Sequence, residues 1–216
     1  MSRFVAGHHI ALGGLALVVF VTACSDSPTA PSAPVVHDTL NAAGGRSNME
    51  FYQSERSGPT DRQLYDDFVS STAATIRTVA WQGGYSPSTP VATSFFLAFI
   101  ADNGGFPRME ADVNNPGRPN ALYSATYAAS QVSERLDAVL PCTNSNQQCG
   151  LYNYSVTLMR PFTVVAGTRY WLLIQADVPF GAPGSWGWRR GTPDNQRGGT
   201  NIAGTTLSFD LAFSLR

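Results

Sequence analysis

Tyr152-Asn153-Tyr154-Ser155-Val156-Thr157-Leu158 carries an apolar or aromatic side chain at every second position. Period two is the repeat of a β-strand, whose successive side chains point to opposite faces. The chain ends on the same pattern: Leu207, Phe209, Leu211, Phe213 and Leu215 alternate with Ser208, Asp210, Ala212 and Ser214. Tyr170, Leu172 and Ile174 share a face in the same way. Ser94–Ala101 reads Ser-Phe-Phe-Leu-Ala-Phe-Ile-Ala and is apolar on both faces, which predicts a central strand covered on both sides. Further strands are expected at about 64–70, 74–82, 121–127, 131–139 and 185–190, with an edge strand within 46–56. Turn signals separate them: Gly83-Gly84, Asp102-Asn103-Gly104-Gly105, Asn115-Pro116-Gly117, Ala166-Gly167 and Gly198-Gly199. Only Gln131–Leu140 rivals a strand as an amphipathic helix. These elements predict an all-β fold, a single jelly-roll-like antiparallel β-sandwich over 46–216 with its core at about 61–216.

Composition removes several classes of function. The chain has 216 residues, enough for one domain with short appendages. Charged residues make up 13%, about half the usual share. All 14 basic residues are Arg, and the three His (His8, His9, His37) lie within the first 37 positions. A phosphate-loop lysine and a Schiff-base lysine are therefore excluded. The expected domain, beginning at 46, holds no His for a Ser-His-Asp site or for zinc. A net charge of −1 gives no reason to expect nucleic acid as a partner.

The first 24 residues read as an address. Arg3, His8 and His9 precede an apolar run, Ile10–Ala23, that suits a signal-peptide core and is short for a membrane span. The run closes on Val21-Thr22-Ala23-Cys24, which resembles the bacterial lipobox. That resemblance implies removal of residues 1–23, acylation of Cys24 and a membrane partner held through the lipid. Cleavage takes away one Arg and no acid, leaving 13 Arg against 15 acids and a net charge of −2. Ser25 rather than Asp follows the cysteine, which favours the outer membrane or cell surface of a bacterial envelope over the inner membrane. Residues 24–45 read as a Pro-, Ser- and Ala-rich tether. In an exported chain, Cys142 and Cys149 are expected to form a disulfide across a polar loop; a metal site built on two Cys without His is the poorer alternative.

Several ordered segments carry a wider resemblance: Asp66-Asp67-Phe68, Val79-Ala80-Trp81-Gln82-Gly83-Gly84-Tyr85, Phe99–Gly105, Pro161–Leu172, Ser185-Trp186-Gly187-Trp188 and Asp210-Leu211-Ala212-Phe213. Their order resembles an uncharacterised β-sandwich module of exported bacterial proteins, found beside PEP-CTERM or choice-of-anchor sorting signals. The resemblance spans about 61–216. It implies a jelly-roll-like exported domain and no particular activity. A lipid anchor here takes the place of a C-terminal sorting helix.

Four sets of residues are candidates for chemistry. Glu110 with Asp112, and Glu134 with Asp137, are the carboxylate pairs a glycosidase would need; Pro-rich flanks around the first pair, and opposite strand faces for the second, favour solvated surface acids. Asp66, Asp67, Asp102 and Asp210 are candidate ligands of a structural Ca²⁺, no other cofactor being expected. A hairpin turn is the plainer reading of Asp102. Trp186, Trp188 and Arg190 share one strand face, before a loop containing Asp194, Asn195, Gln196 and Arg197. That face suits stacking on a sugar ring, and the bland alternative is core packing with an Arg over an aromatic. Trp81 and Trp171 read as packing residues. Tyr170 and Trp171 point oppositely, so one of them needs cover from a loop. No Gly-x-Ser-x-Gly elbow is present. The sequence thus points to a non-enzymatic, lipid-anchored binding module of the envelope, with glycan as the leading ligand. The alternatives are a structural or adhesive protein contacting an envelope protein and, more weakly, a glycoside hydrolase using Glu110 or Glu134.

Overall fold

The computed structural model describes residues 34–40, 50–58, 60–108, 110, 119–142, 147–194, 200–201, 207 and 209–216. In chain order these residues form β1 (His37–Asp38), β2 (Phe51–Gln53), β3 (Glu55–Ser57), β4 (Thr60–Asp61), β5 (Leu64–Val69), β6 (Ala74–Ser86) and β7 (Ser94–Ala101). There follow β8 (Tyr123–Ala128), β9 (Ser133–Pro141), β10 (Gln148–Val164), β11 (Arg169–Asp177), β12 (Ser185–Arg189), β13 (Thr200–Asn201) and β14 (Phe213–Leu215). Among the described residues the one helical element is a 3-10 turn, Ala129–Gln131. Gln131–Leu140 is strand over most of its length, not helix.

The strands form two sheets packed as a sandwich, each built around one long strand. In the first sheet β6 pairs along one edge with β10, and β10 with β9. The other edge of β6 is shared end to end by β14 and β12, with β1 and β2 outside them. In the second sheet β11 pairs along one edge with β7, and β7 with β8. The other edge of β11 is shared by β5 and β3, with β13 and β4 outside them. The β3–β11 pair is parallel and the other pairings are antiparallel. β2 and β3 belong to different sheets although only Ser54 separates them. Ser54 is buried there, its hydroxyl donating to Ile174 O (2.6 Å) and accepting from Leu64 N (3.2 Å).

The alternation explains the core. Phe95, Leu97 and Phe99 of β7 point between the sheets, while Phe96, Ala98 and Ile100 point outward into a second apolar cluster with Tyr65, Trp171 and Leu173. Ser94–Ala101 is therefore buried on both faces, as its composition predicts, with a neighbouring strand on each edge. Trp171 is the member of the Tyr170–Trp171 pair that needs cover. Its indole N–H donates to Asp102 Oδ1 (2.9 Å), at the start of the connection that leaves β7. Between the sheets, Trp81 stacks on Tyr154 (5.2 Å between ring centroids), and Phe95 meets Trp81 and Trp186 edge-on. Burying one ring of this size contributes about 2–3 kcal/mol.

Three local expectations need correction. Gly83-Gly84 is not a turn but lies inside β6. A Cβ on Gly83 would sit 2.6 Å from Cζ2 of Trp186, and one on Gly84 would overlap the ring of Phe51, so each glycine makes room for an aromatic on one face of the sheet. The terminal strand is shorter than 207–215: β14 spans Phe213–Leu215, and Leu211 forms only an isolated bridge with Arg190. The fold also begins before residue 46. His37 and Asp38 pair with Leu215 and Ser214, and buried Thr39 donates its hydroxyl to Leu211 O (2.7 Å). The Pro- and Ser-rich flank hides a short Val-Val-His-Asp-Thr segment that can pair and pack, and with it His37 joins the folded unit. The turns at Asp102–Gly105 and Gly167 are present, with positive φ at Gly104, Gly105 and Gly167. Gly117, Gly198 and Gly199 lie outside the described residues.

Candidate functional site

The predicted aromatic platform is not at the surface. Trp186 and Trp188 of β12 point into the core and are fully buried. The Trp186 indole donates to the Tyr154 hydroxyl (3.2 Å), and the Trp188 indole donates to Ala212 O (3.0 Å). Period two puts both on one face, and that face is the inner one. Arg190 alone of the three reaches solvent. Its guanidinium lies 5.2 Å from the centre of the Phe209 ring and pairs with Glu50 (3.2 Å).

The outer side of the same strand is where a ligand has room. Ser185 and Gly187 of β12, Gly84 and Ser86 of β6, and Phe51 and Gln53 of β2 line a cleft of about 430 Å³, closed on one side by the Cys142–Cys149 disulfide. Gly84 and Gly187 are buried beneath Phe51, whose ring lies over Gly84, so Phe51 itself covers the sheet here. A Cβ on Gly187 would lie 2.8 Å from that of Phe51. Phe51 packs with Leu151 and the two half-cystines, so an apolar wall faces a polar rim. The rim is pre-set. Gln53 donates to Glu55 Oε1 (2.5 Å) and accepts from Arg62. Glu55 Oε2 in turn accepts the backbone N–H of Trp186 (2.6 Å). The Ser86 hydroxyl lies 3.6 Å from Cys142 Sγ. Beyond the cleft the face continues as a polar row: Arg189 donates to Gln82 Oε1 (2.8 Å), and Gln82 donates to Asn153 Oδ1 (2.8 Å). The disulfide is formed as expected, with 5.0 Å between the Cα atoms, and it joins the ends of β9 and β10 beside the cleft. The turn composition of Gly83-Gly84 conceals this packing; the signal is Gly187 between two tryptophans, a residue that lets Phe51 approach the opposite face.

The four Asp proposed for calcium do not converge. Asp67 is on the outer face of β5 and pairs with Arg169. Asp102 accepts from Trp171 and from Gly105 N (3.0 Å), fixing its turn. Asp66 and Asp210 do come together. Asp66 Oδ2 accepts Leu211 N (2.5 Å), Asp210 Oδ2 accepts Asp194 N (2.8 Å), and His37 Nδ1 stands 3.7 Å from Asp194. Burial holds the Asp66 carboxyl well above the usual carboxylate range, and Asp210 and Asp194 push the same way. Burial also raises Asp210 to about 6 and lowers His37 despite the nearby Asp194 and Asp38. Among the described residues no group of three or more His, Cys, Asp or Glu is arranged to hold a metal ion.

Glu110 and Glu134 differ in setting. Glu110 is exposed and paired with Arg108 (2.7 Å). Glu134 turns one oxygen into the core, where its charge adds to burial in raising the Tyr85 and Tyr154 hydroxyls. Asp112, Asn195, Gln196, Arg197 and Cys24 lie outside the described residues.

The fold and the cleft define a two-sheet β-sandwich domain with a solvent-facing recess between Phe51 and the disulfide. Residues 43–212 match the family described as a domain of unknown function, DUF7901, and the chain belongs to that family. No curated protein matches the chain. No solved structure matches it.

Proposed function

We propose that this protein is a non-catalytic, lipid-anchored binding module of the bacterial envelope, and that it takes glycan in the cleft of the first sheet. The observation that carries the reading is the cleft between Phe51, laid over Gly84 and Gly187, and the disulfide, rimmed by Gln53, Ser86 and Ser185. An apolar wall accepts the face of a ring, and amide and hydroxyl groups at its edge match sugar hydroxyls as donors and acceptors. The lipobox at Cys24 supports an anchor that leaves the domain free to face its ligand. The disulfide fits an exported chain.

The test uses residues 25–216 on a panel of plant and cell-wall polysaccharides, with and without Ca²⁺. Retention on at least one polysaccharide, lost in Ser185→Tyr while circular dichroism is unchanged, is the expected result. Retention on none overturns the glycan reading and leaves a protein-contact role. For the anchor, full-length Cys24→Ser is expected to leave the membrane fraction; if it stays there, the lipid reading fails.

A further inference from the structure

Phe180 is the most exposed large apolar side chain among the described residues, at 79%. It is also held in place. Ala182 N–H donates to Pro179 O (3.0 Å), closing a turn over 179–182. Gly181 takes a φ of 79°, which the third residue of a type II turn requires. Phe180 is therefore the second residue of that turn, at its apex. Its ring edge rests on Gly58, itself at a φ of 58°, and a Cβ there would come within 2.5 Å of Phe180 Cδ2. Two glycines in the left-handed region thus fix one aromatic ring in solvent, where it contributes little to stability.

A groove of about 370 Å³ lies beside it, lined by Arg56, Gly58, Thr93, Asp177, Val178 and Pro179. Arg56 Nε pairs with Asp177 Oδ1 (2.9 Å), and Ser94 donates its hydroxyl to Asp177 Oδ2 (2.7 Å). We propose that the Phe180 turn and the Arg56–Asp177 pair form a second ligand site, for a pyranose ring. The C–H face of the sugar stacks on Phe180. Adjacent hydroxyls donate to the carboxylate and accept from the guanidinium, the complement that a vicinal diol offers to an acid and a base side by side. A lipid surface fits less well. One ring stands alone, and the ion pair beside it adds no net positive charge to attract anionic headgroups.

The site shares a ligand class with the cleft but rests on different residues, and the experiment separates them. Methyl α- and β-pyranosides of glucose, galactose and mannose are presented to residues 25–216, and saturation transfer to the sugar C–H protons is read by NMR. Wild type and Ser185→Tyr are expected to transfer equally to at least one pyranoside. Phe180→Ser and Asp177→Asn are expected to lower that transfer at least tenfold, with thermal midpoints confirming that both remain folded. No transfer in wild type, or equal transfer in Phe180→Ser, overturns this site. Loss in Ser185→Tyr alone overturns it too and leaves the cleft standing.

Discussion

The outer faces of the two sheets have met opposite fates. On the second sheet, Tyr65, Phe96, Ala98, Ile100, Trp171 and Leu173 form an apolar layer that is buried, although it lies outside the sandwich. The connection leaving β7 holds Trp171 through Asp102, Gln63 takes the Tyr65 hydroxyl, and Ala121 packs against the layer. On the first sheet the corresponding face divides: Gln82, Asn153 and Arg189 form a polar row, while Gly84, Gly187 and Leu151 are buried with Phe51 and the disulfide. A face rich in aromatic and aliphatic side chains gains by being covered. A polar face whose groups already bond one another needs no cover and keeps its recess open to solvent. The same chain thus covers one outer face with an apolar layer and keeps a polar row and a recess on the other.

The sharpest way to break this contrast is to empty the covered layer. Trp171→Ala should cost about 3–5 kcal/mol in chemical denaturation, since it removes a buried ring and the hydrogen bond to Asp102 Oδ1. Gln82→Ala on the open face should cost no more than about 1.5 kcal/mol. Equal costs would mean that the two faces do not differ in role. Next in size, replacing both Cys142 and Cys149 with Ser should lower stability by about 2–3 kcal/mol, as expected for freeing a loop with a sequence separation of 7, and should loosen the cleft wall. A loss below about 0.5 kcal/mol would show that the strand ends hold without the clip.

The contrast also has a titrating edge, where His37 and the segment carrying Asp210 join the first sheet to Asp66 of the second. Folding raises the carboxyls of Asp66 and Asp210, so the native state holds protons that the unfolded chain releases. Their contribution is complete below about pH 4 and is lost as pH rises, for Asp210 through about 6. His37 acts in the opposite sense: its lowered value costs stability as pH falls below 6.5. Asp194, Asp38 and Arg190 complete the charged groups of this cluster. The stability of wild type relative to Asp210→Asn should therefore fall between pH 4 and pH 7. A pH-independent difference in urea titrations would remove Asp210 from the account. Smallest of all, Phe180→Ser should change stability by less than about 0.5 kcal/mol, because the ring is outside both apolar layers.

Much of this architecture was legible in the sequence because strand periodicity is a local property. Tyr152–Leu158, Ser94–Ala101 and Tyr170–Ile174 all lie in strands, and the two-faced composition of Ser94–Ala101 correctly demanded cover on both sides. What period two cannot supply is which face is inner. Trp186 and Trp188 were grouped correctly and assigned to the wrong side, because only the packing of β12 against Tyr154 and Phe213 decides that. Gly83-Gly84 carries the composition of a turn, yet the approach of Trp186 on one face and Phe51 on the other gives the pair a place inside a strand. Both depend on contacts between segments more than 20 positions apart, which no local window contains.

The most direct test sets the two faces against each other in one titration. The polysaccharide retained by residues 25–216 is titrated into Ser185→Tyr, which fills the recess of the first sheet. It is also titrated into Leu122→Arg, at an exposed position in the connection from β7 to β8. At least a tenfold loss of affinity in Ser185→Tyr, with Leu122→Arg equal to wild type, is the predicted result. Unchanged affinity in Ser185→Tyr with loss in Leu122→Arg would place recognition on the covered side and contradict the account.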